Sequence, residues 1–517
     1  MSKYNILWAD DEIELLKPHI LFLENKGYSI TTVTNGSDAI DLIEEQNFDI
    51  VLLDENMPGI NGIETLSQIK TLKSSLPVVM VTKSEEESIM EDAIGSKISD
   101  YLIKPVHPNQ LLSTIKKNID KKRLVSEKTT SNYQQEFRNI GMQLNDRLNM
   151  EEWKEIYKKL VFWEMELEGL EDESMHEILT MQKKEANEQF GKYVENNYTS
   201  WLNGTSDEKA LFSHTVFKEK IAGELKSETP VFLIVIDNLR LDQWKAIEPV
   251  VNEYFSIQKE ELYTSILPTA TQYARNALFA GLLPSEIEKR FPDKWLNDED
   301  DGGKNLYEED FLADQLKRLG KSDKFTYTKV TNYNFARKLT DNINNLTKNP
   351  FNVIVYNFVD MLSHARTEME MIKELADDET AFRSLTLSWF KNSPLLDILK
   401  QLADKKCKVI ITTDHGTIRV QEPSKVIGDK NTNTNLRYKQ GKNLDYNPKD
   451  VLEIKNPADA YLPKLHVSSG YVFIKDDKFF AYPNNYNYYV NYYRNTFQHG
   501  GISLEEMLIP LVTLIPR

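Results

Sequence analysis

The chain's 517 residues carry a formal net charge of -17, with 40% hydrophobic and 28% charged positions. That length exceeds what a single hydrophobic core serves and predicts roughly three or four domains, while the composition excludes global disorder and a membrane protein. The acidic balance argues against an extended duplex-DNA surface, whose phosphates call for clustered Lys and Arg; a nucleotide substrate stays open, because bound cations reverse the local field.

The opening MSKYNILWADDE reaches acidic residues before the apolar core of a signal peptide can form. The longest apolar runs, such as VFLIVI, fall well short of the ~20 residues of a membrane helix. A cytoplasmic protein without membrane insertion is expected. The single cysteine, Cys407, has no partner for an internal disulfide and reads as a small buried side chain in a reducing compartment.

From Tyr4 to about Asp120, five short apolar strands, NILWAD, SITTVT, DIVLLD, PVVMVT and DYLIKP, alternate with helix-length segments. That order predicts a doubly wound parallel α/β domain, which gathers ligands at the carboxyl ends of its strands. Asp10 and Asp11 close strand one and Asp54 strand three, while Thr82 closes strand four and Lys104 precedes Pro105 after strand five. Three carboxylates in one crevice are costly unless a divalent cation and a lysine neutralise them, and Mg2+ favours carboxylates plus a phosphoryl group and water. The pattern suits Asp54 as a nucleophile toward phosphorus.

In the order and spacing of DDE, LLDENMPGINGIE, VTK and DYLIKP, the segment from about Tyr4 to Ile119 resembles the receiver domain of two-component response regulators. The resemblance implies a flavodoxin-like sheet and phosphorylation of Asp54 by a sensor histidine kinase. It also implies Mg2+ held by Asp10, Asp11, Asp54 and the Asn56 carbonyl, with Thr82, Tyr101 and Lys104 as switch residues. Phosphorylation would add charge and acceptor oxygens that Thr82 and Lys104 engage, biasing the local surface between two arrangements.

Between Tyr133 and Trp201 there is no strand-like alternation and no proline. NMEEWKEIYKKLVFWEMEL places Trp153, Ile156, Leu160, Trp163 and Leu167 at helical spacing behind an Asn149/Glu152 capping box, predicting a helical bundle or connector. Turn residues cluster in NGTSDEKA, Asn203 to Ala210, and mark a boundary. The expected domains are therefore 1–120, a helical connector over 121–205, and a second, larger α/β domain over 206–517.

Buried-type strands return there at VFLIVID, NVIVYNFVD, KVIITTD, GYVFIK and MLIPLVTL. The Asn-, Lys-, Pro- and Asp-rich stretch from VQEPSKVIGDKNTNTN to SSGYVFIK is expected to form long surface loops. Chemistry-bearing residues are Asp237 in VIDNLR, Thr271 in PTATQYARNALFAG, Asp360 and His364 in NFVDMLSHAR, Asp414 and His415 in TTDHGT, and His499 in FQHGG. Their side chains are N and O donors that zinc accepts, and Asp360 and His364 share one face if their turn is helical. In a continuing strand Asp414 and His415 would point to opposite faces, so Gly416 is expected to let the chain turn and bring both toward one metal. His19, His107, His176 and His214 stand outside this set and read as packed or hydrogen-bonded residues, and His466 in PKLHVSSGY is left out of it.

The order Asp, Thr, Asp-x3-His, Asp-His, His resembles the alkaline phosphatase superfamily, and VIDNLR is similar to the opening of its PglZ branch, over about Ser206 to Arg517. The resemblance implies a parallel-centred sheet flanked by helices, one Zn2+ on Asp237, Thr271, Asp414 and His415, and a second on Asp360, His364 and His499. Thr271 is then the nucleophile, one metal easing loss of its proton and the other stabilising the leaving oxygen. Threonine in that role is similar to the phosphodiesterase side of the superfamily. The arginine with which alkaline phosphatases grip phosphate has no clear counterpart, and Arg275 and Arg240 are the candidates.

Receiver, helical connector and PglZ-type domain together resemble the PorX-type response regulators of type IX secretion. That resemblance implies a zinc-dependent phosphodiesterase acting on nucleotides or oligonucleotides, controlled by phosphorylation of Asp54 through a phosphorylation-linked homodimer. It further implies regulation of secretion through a sigma factor or secretion-system component. The alternative is a zinc-stabilised binding module that acts on such a partner without turnover; both need the ligands, and only the enzyme needs Thr271. A DNA-binding transcription factor is disfavoured by the acidic balance and the missing basic recognition helix.

Overall fold

The computed structural model describes residues 4–73, 76–83, 98–168, 173–226, 229–298, 300, 302–321, 324–360, 362, 378–429, 432–464, 466 and 468–517. The chain divides into two compact units, one over 1–136 with 169–171, the other over 137–168 with 172–517.

In the first unit, strands β1 (Asn5–Ala9), β2 (Ser29–Val33), β3 (Ile50–Asp54), β4 (Val78–Thr82) and β5 (Asp100–Ile103) form one parallel sheet in the order β2-β1-β3-β4-β5. Helices α1 (Lys17–Asn25), α2 (Gly36–Glu45) and α3 (Gly62–Leu72) connect them. Parallel strands covered on both faces need apolar side chains at consecutive positions. Accordingly Leu7, Val51, Leu53, Val78 and Met80 pack into one core cluster, while Ile6, Trp8, Ile50, Leu52 and Val79 pack into another. Strand order reverses beside β1 and β3, so residues just past their carboxyl ends face a common crevice.

Helix α4 (Pro108–Leu144) begins in the first unit and ends in the second. Helices α5 (Met150–Leu167) and α6 (Glu173–Leu202) follow. The Asn149/Glu152 capping box is present, and Trp153, Ile156, Leu160 and Leu167 are buried whereas Trp163 is half-buried. Trp153 meets Phe190 of α6 edge-on at 5.5 Å, so the aromatic stripe is core.

The rest of the second unit is built on a six-stranded sheet. Its strands are β6 (Val231–Ile236), β7 (Phe255–Thr264), β8 (Phe325–Val330), β9 (Phe351–Tyr356), β10 (Lys408–Thr412) and β11 (Leu508–Pro516), in the order β7-β11-β10-β6-β9-β8. The four strands from β10 to β8 are parallel, and β11 runs antiparallel to both its neighbours. β6, β9 and most of β10 are buried, and the chain leaves all three at the same sheet edge.

The stretch expected to form long surface loops ahead of GYVFIK also contains short strands. Glu422–Ile427 pairs with Asp445–Tyr446 and Lys478–Ala481 in one three-stranded sheet, and Tyr438–Gly441 and Val451–Ile454 pair with Gly470–Ile474, the expected GYVFIK strand, in another. The pattern was hidden because the strands are two to six residues long and the buried positions include Arg437, Lys439 and Gln440.

Lys439 is buried with no ion pair among the described residues; its Nζ donates to the Asn433 carbonyl at 2.8 Å and sits 4.7 Å from the centre of the Tyr482 ring. Burial pulls the amine down to about 7 from the ordinary 10.5. Between those two values the unfolded chain binds a proton that the folded chain does not, so this residue costs stability as pH falls from about 10.5 to 7. Lys439→Met is expected to raise Tm at pH 7, with a gain that shrinks toward pH 10. Thermal unfolding of both proteins across that range checks it, and a gain independent of pH would refute the assignment.

Candidate functional site

At the carboxyl edge of the first sheet, ligand oxygens of Asp10, Asp11 and Asp54 lie within 4.8 Å of one another. Asp10 and Asp54 are buried and Asp11 is exposed, so the cluster opens to solvent on one side. Lys104 reaches in from beyond β5, with Nζ at 2.7 Å from Asp10 and 3.0 Å from Asp54. Burial pushes the Asp54 carboxyl above the usual range, against the pull of Lys104. Burial disfavours the Lys104 cation, yet Asp10 and Asp54 outweigh it and hold the amine above the ordinary lysine value. One lysine facing three carboxylates leaves a net negative crevice, which a divalent cation fits.

Thr82, at the end of β4, donates its hydroxyl hydrogen bond to Glu55, the residue after Asp54. Tyr101 on β5 lies within hydrogen-bond reach of Thr82, and burial raises its phenol above the usual value. Asn56 is exposed, two residues beyond Asp54. The structure thus brings Asp10, Asp11, Asp54 and Lys104 together and sets Thr82 and Tyr101 against the neighbouring strand end. Glu55 as the hydroxyl's partner was not foreseen, since nothing in LLDENMP distinguishes it from a surface acid.

In the second unit, ligand atoms of Asp237, Asp414 and His415 lie within 4.8 Å of one another, and all three residues are buried. Asp237 follows β6, and Asp414 and His415 follow β10, its parallel neighbour. Because β10 ends at Thr412, strand alternation does not apply to Asp414 and His415. Thr271 is the first residue of helix α7 (Thr271–Ala280). Its Oγ1 donates toward Asp237 Oδ1 at 3.3 Å and stands 3.0 Å from His415 Nε2.

The imidazole tautomers follow from their carbonyl partners, since a carbonyl only accepts. His415 Nδ1 lies 3.1 Å from the Gly416 carbonyl and His499 Nδ1 lies 3.1 Å from that of Thr269, so each Nδ1 carries hydrogen and each Nε2 presents its lone pair. His499 Nε2 is 3.8 Å from Asp360 Oδ1, and the two imidazole rings stack with centroids 4.3 Å apart. Asp360 lies in the helical turn 358–360 after β9, and His364, with which it was expected to share a face, lies outside the described residues. The structure therefore assembles Asp237, Thr271, Asp414 and His415 as one group and sets Asp360 beside His499 next to it.

This donor set fits zinc. Carboxylate oxygens and Nε2 lone pairs converge, and the buried Asp414 Oδ2 accepts no hydrogen bond from the described residues. Burial pushes the Asp237 carboxyl up to about 6 even though Arg275 opposes it, as expected where two buried acids face each other.

Neither candidate arginine is placed to grip phosphate. Arg275 is buried, bonds Asp237 at 2.6 Å and Glu308 at 2.5 Å, and so aims Asp237 rather than a ligand. Arg240 is buried between Asp242 and Glu379, each 2.6 Å from its Nη2, and lies over the Phe497 ring. Glu308 was missed because its only sequence signal is an acid in an amphipathic helix. Asn238 was also missed; it takes a left-handed φ of 66°, which asparagine tolerates, and its backbone N–H donates to Asp414 at 3.3 Å.

Gly416 is needed for a different reason from the one expected. Its φ is not positive; rather, a Cβ there would lie 2.0 Å from the backbone carbonyl oxygen of Glu505. The glycine allows two backbones to approach.

Comparison with known proteins places these features in three matches. Residues 6–116 match the response regulator receiver domain, 123–202 the PorX response regulator linker domain, and 216–514 the BREX system PglZ alkaline phosphatase-like domain. Among curated proteins, the transcriptional regulatory protein ResD of Bacillus subtilis is 35% identical over 115 residues, 22% of this chain and 48% of that protein. The transcriptional regulatory protein ZraR of Klebsiella oxytoca is 33% identical over 140 residues, 27% of this chain and 32% of that protein. The chain thus spans a half or less of the length of these relatives. Among solved structures, a CheY-like receiver domain protein from Methanospirillum hungatei is 27% identical with a TM-score of 0.23, covering 24% of this chain and 98% of that one. Among the described residues no helix is long and apolar enough to cross a membrane.

Proposed function

The chain belongs to the PglZ alkaline phosphatase-like family, carried here in a PorX-type arrangement of receiver, linker and PglZ domain, and we propose that it is a phosphorylation-controlled, zinc-dependent phosphodiesterase with Thr271 as nucleophile. The observation that carries this reading is the Thr271 hydroxyl at the start of a helix, 3.0 Å from a buried imidazole lone pair and 3.3 Å from a buried carboxylate.

Asp237, Asp414 and His415 would hold one zinc ion with Thr271, and Asp360, His499 and His364 a second. Zinc bound there supplies positive charge that lowers the pKa of the threonine hydroxyl and offsets charge on the departing oxygen. Thr271 Oγ1 attacks phosphorus, the ester oxygen on the far side departs with the bonding pair, and a threonine phosphoester remains until water displaces it. Arg275 keeps Asp237 aimed at the site, and the Gly416 and Thr269 carbonyls fix the imidazole tautomers. The preferred substrates are nucleotide or oligonucleotide phosphodiesters.

A receiver domain implies a sensor kinase. In this reading Asp54 takes the phosphoryl group with Mg2+ on Asp10, Asp11 and the Asn56 carbonyl, Thr82, Tyr101 and Lys104 respond, and a homodimer forms that regulates type IX secretion from the cytoplasm. A sigma factor or secretion component is the downstream partner.

The test is hydrolysis of bis(p-nitrophenyl) phosphate and short oligonucleotides by chelator-stripped protein before and after zinc is returned, with mass measured in acetyl phosphate and Mg2+. Turnover is expected only with zinc, and dimerisation in the wild type and not in Asp54→Ala. Zinc uptake without turnover would favour a zinc-stabilised binding module that acts on a partner. Dimerisation of Asp54→Ala would sink the proposed control.

A further inference from the structure

Helix α6 belongs to the linker match, yet one of its faces runs along the loops that carry the metal-site residues. Positions 184, 187, 191, 195 and 198 recur at helical spacing. Lys184 pairs with Glu422, and Glu195 pairs with Lys475 at 2.6 Å. Gly191 lets the turn at Asp476 come close, since a Cβ there would stand 3.1 Å from Asp476 Oδ1.

The other two positions reach further in. Asn187 is buried; its Nδ2 donates to Glu505 Oε2 at 3.0 Å and its Oδ1 accepts from the Leu504 N–H at 2.8 Å. Lys183, one turn back, stands 3.7 Å from the same Glu505 carboxylate. The backbone so fixed is the one against which Gly416 lies, and the Gly416 N–H donates to the Glu506 carbonyl at 3.1 Å. His415 is the residue before it, and its Nδ1 donates to the Gly416 carbonyl. Independently, the buried Tyr198 hydroxyl accepts from the Leu267 N–H at 2.7 Å, four residues before Thr271.

From these two chains of contact we infer that Asn187 and Tyr198 are positioning residues of the PglZ site, Asn187 for His415 and Tyr198 for Thr271. This rests on the phosphodiesterase reading. Partners that orient metal ligands are worth roughly ten- to hundredfold in metal affinity when removed. A segment of the linker, the part of the chain between receiver and PglZ domain, thereby sets the geometry of both the ligand loop and the nucleophile loop.

The pairing at Asn187 can be inverted without changing net charge. Asn187→Asp alone puts a carboxylate against Glu505; Asn187→Asp with Glu505→Gln restores one donor and one acceptor and keeps an acid one turn from Lys183. In the full-length protein, zinc affinity by titration is expected to fall about tenfold or more in Asn187→Asp and to return to within about threefold of wild type in the double variant. Tyr198→Phe, which leaves the Leu267 N–H without its acceptor, is expected to lower kcat on bis(p-nitrophenyl) phosphate at unchanged zinc content and KM.

Hydrogen exchange of the zinc-free protein reads the same positioning without activity. Faster exchange is expected at the Gly416 N–H in Asn187→Asp and at the Leu267 N–H in Tyr198→Phe, each restricted to its own loop, in proteins whose far-ultraviolet circular dichroism matches wild type. Should Asn187→Asp fail to fold, Asn187→Ala takes its place in both measurements. Wild-type protein that binds no zinc would end the phosphodiesterase reading, while the exchange data would still decide the positioning. Unchanged exchange at both loops, or a double variant as impaired as Asn187→Asp, overturns the inference.

Discussion

Thr271→Ala is expected to lower phosphodiester turnover by roughly three orders of magnitude or more while the protein still binds zinc. Loss of a nucleophile removes the covalent path, and neighbouring groups do not replace it, because the residues of such a site act as a unit. Metal retention follows from the geometry. Asp237, Asp414 and His415 converge without Thr271, Asp237 is held by Arg275 at 2.6 Å, and the His415 tautomer is set by the Gly416 carbonyl. The measurement is the rate at matched zinc content, determined by elemental analysis of each preparation. Thr271→Ser, which keeps a hydroxyl, is expected to retain a substantial part of the activity. Equal rates in Thr271→Ala and wild type would remove the enzyme reading and leave zinc as a structural element of a binding surface.

Both sites were legible in the sequence for one reason: parallel strands deliver their chemistry at their carboxyl ends, so each acid follows an apolar run that is easy to see. Asp54 closes IVLLD, Asp237 closes VFLIVID, and Asp414 stands two residues beyond KVIIT. What supports those residues was not legible. Glu308 lies 33 positions from Arg275 in sequence, and Asn187 lies 318 from Glu505, so their contacts exist only after folding. The short strands between 422 and 454 were missed because buried Arg437 and Lys439 break the apolar pattern, the former being satisfied by Glu506 at 2.7 Å. In the linker, periodicity correctly gave a buried stripe through Trp153 and Leu160 but could not say that a second face, on α6, bears on the metal-site loops.

Gly416→Ala is expected to shrink the zinc-induced rise in Tm, although residue 416 offers no ligand. A glycine beside a metal ligand is ordinarily read as a hinge, and a hinge would tolerate alanine wherever φ is not in the left-handed region. Here the restriction is space: the added methyl would lie 2.0 Å from the Glu505 carbonyl oxygen and 3.4 Å from Arg240 Cγ. The first is backbone, and that backbone is fixed from several directions. Ser503 caps it by accepting from the Glu506 N–H at 3.1 Å, Arg437 holds Glu506, and Asn187 bonds both Leu504 and Glu505. The segment that yields is therefore 414–416, which carries Asp414 and His415. Overpacking of this kind costs about 1–3 kcal/mol, and with an unfolding unit of this size each kcal/mol moves Tm by roughly 1 °C. The zinc-free variant is thus expected to melt a few degrees below wild type, and a displaced His415 Nε2 is expected to cost further zinc affinity, roughly tenfold to a hundredfold. Paired melting curves with and without zinc separate the two effects. A variant destabilised equally in both conditions would mean that the loop relaxes away from the metal ligands, and that His415 is held by something other than the close approach at Gly416.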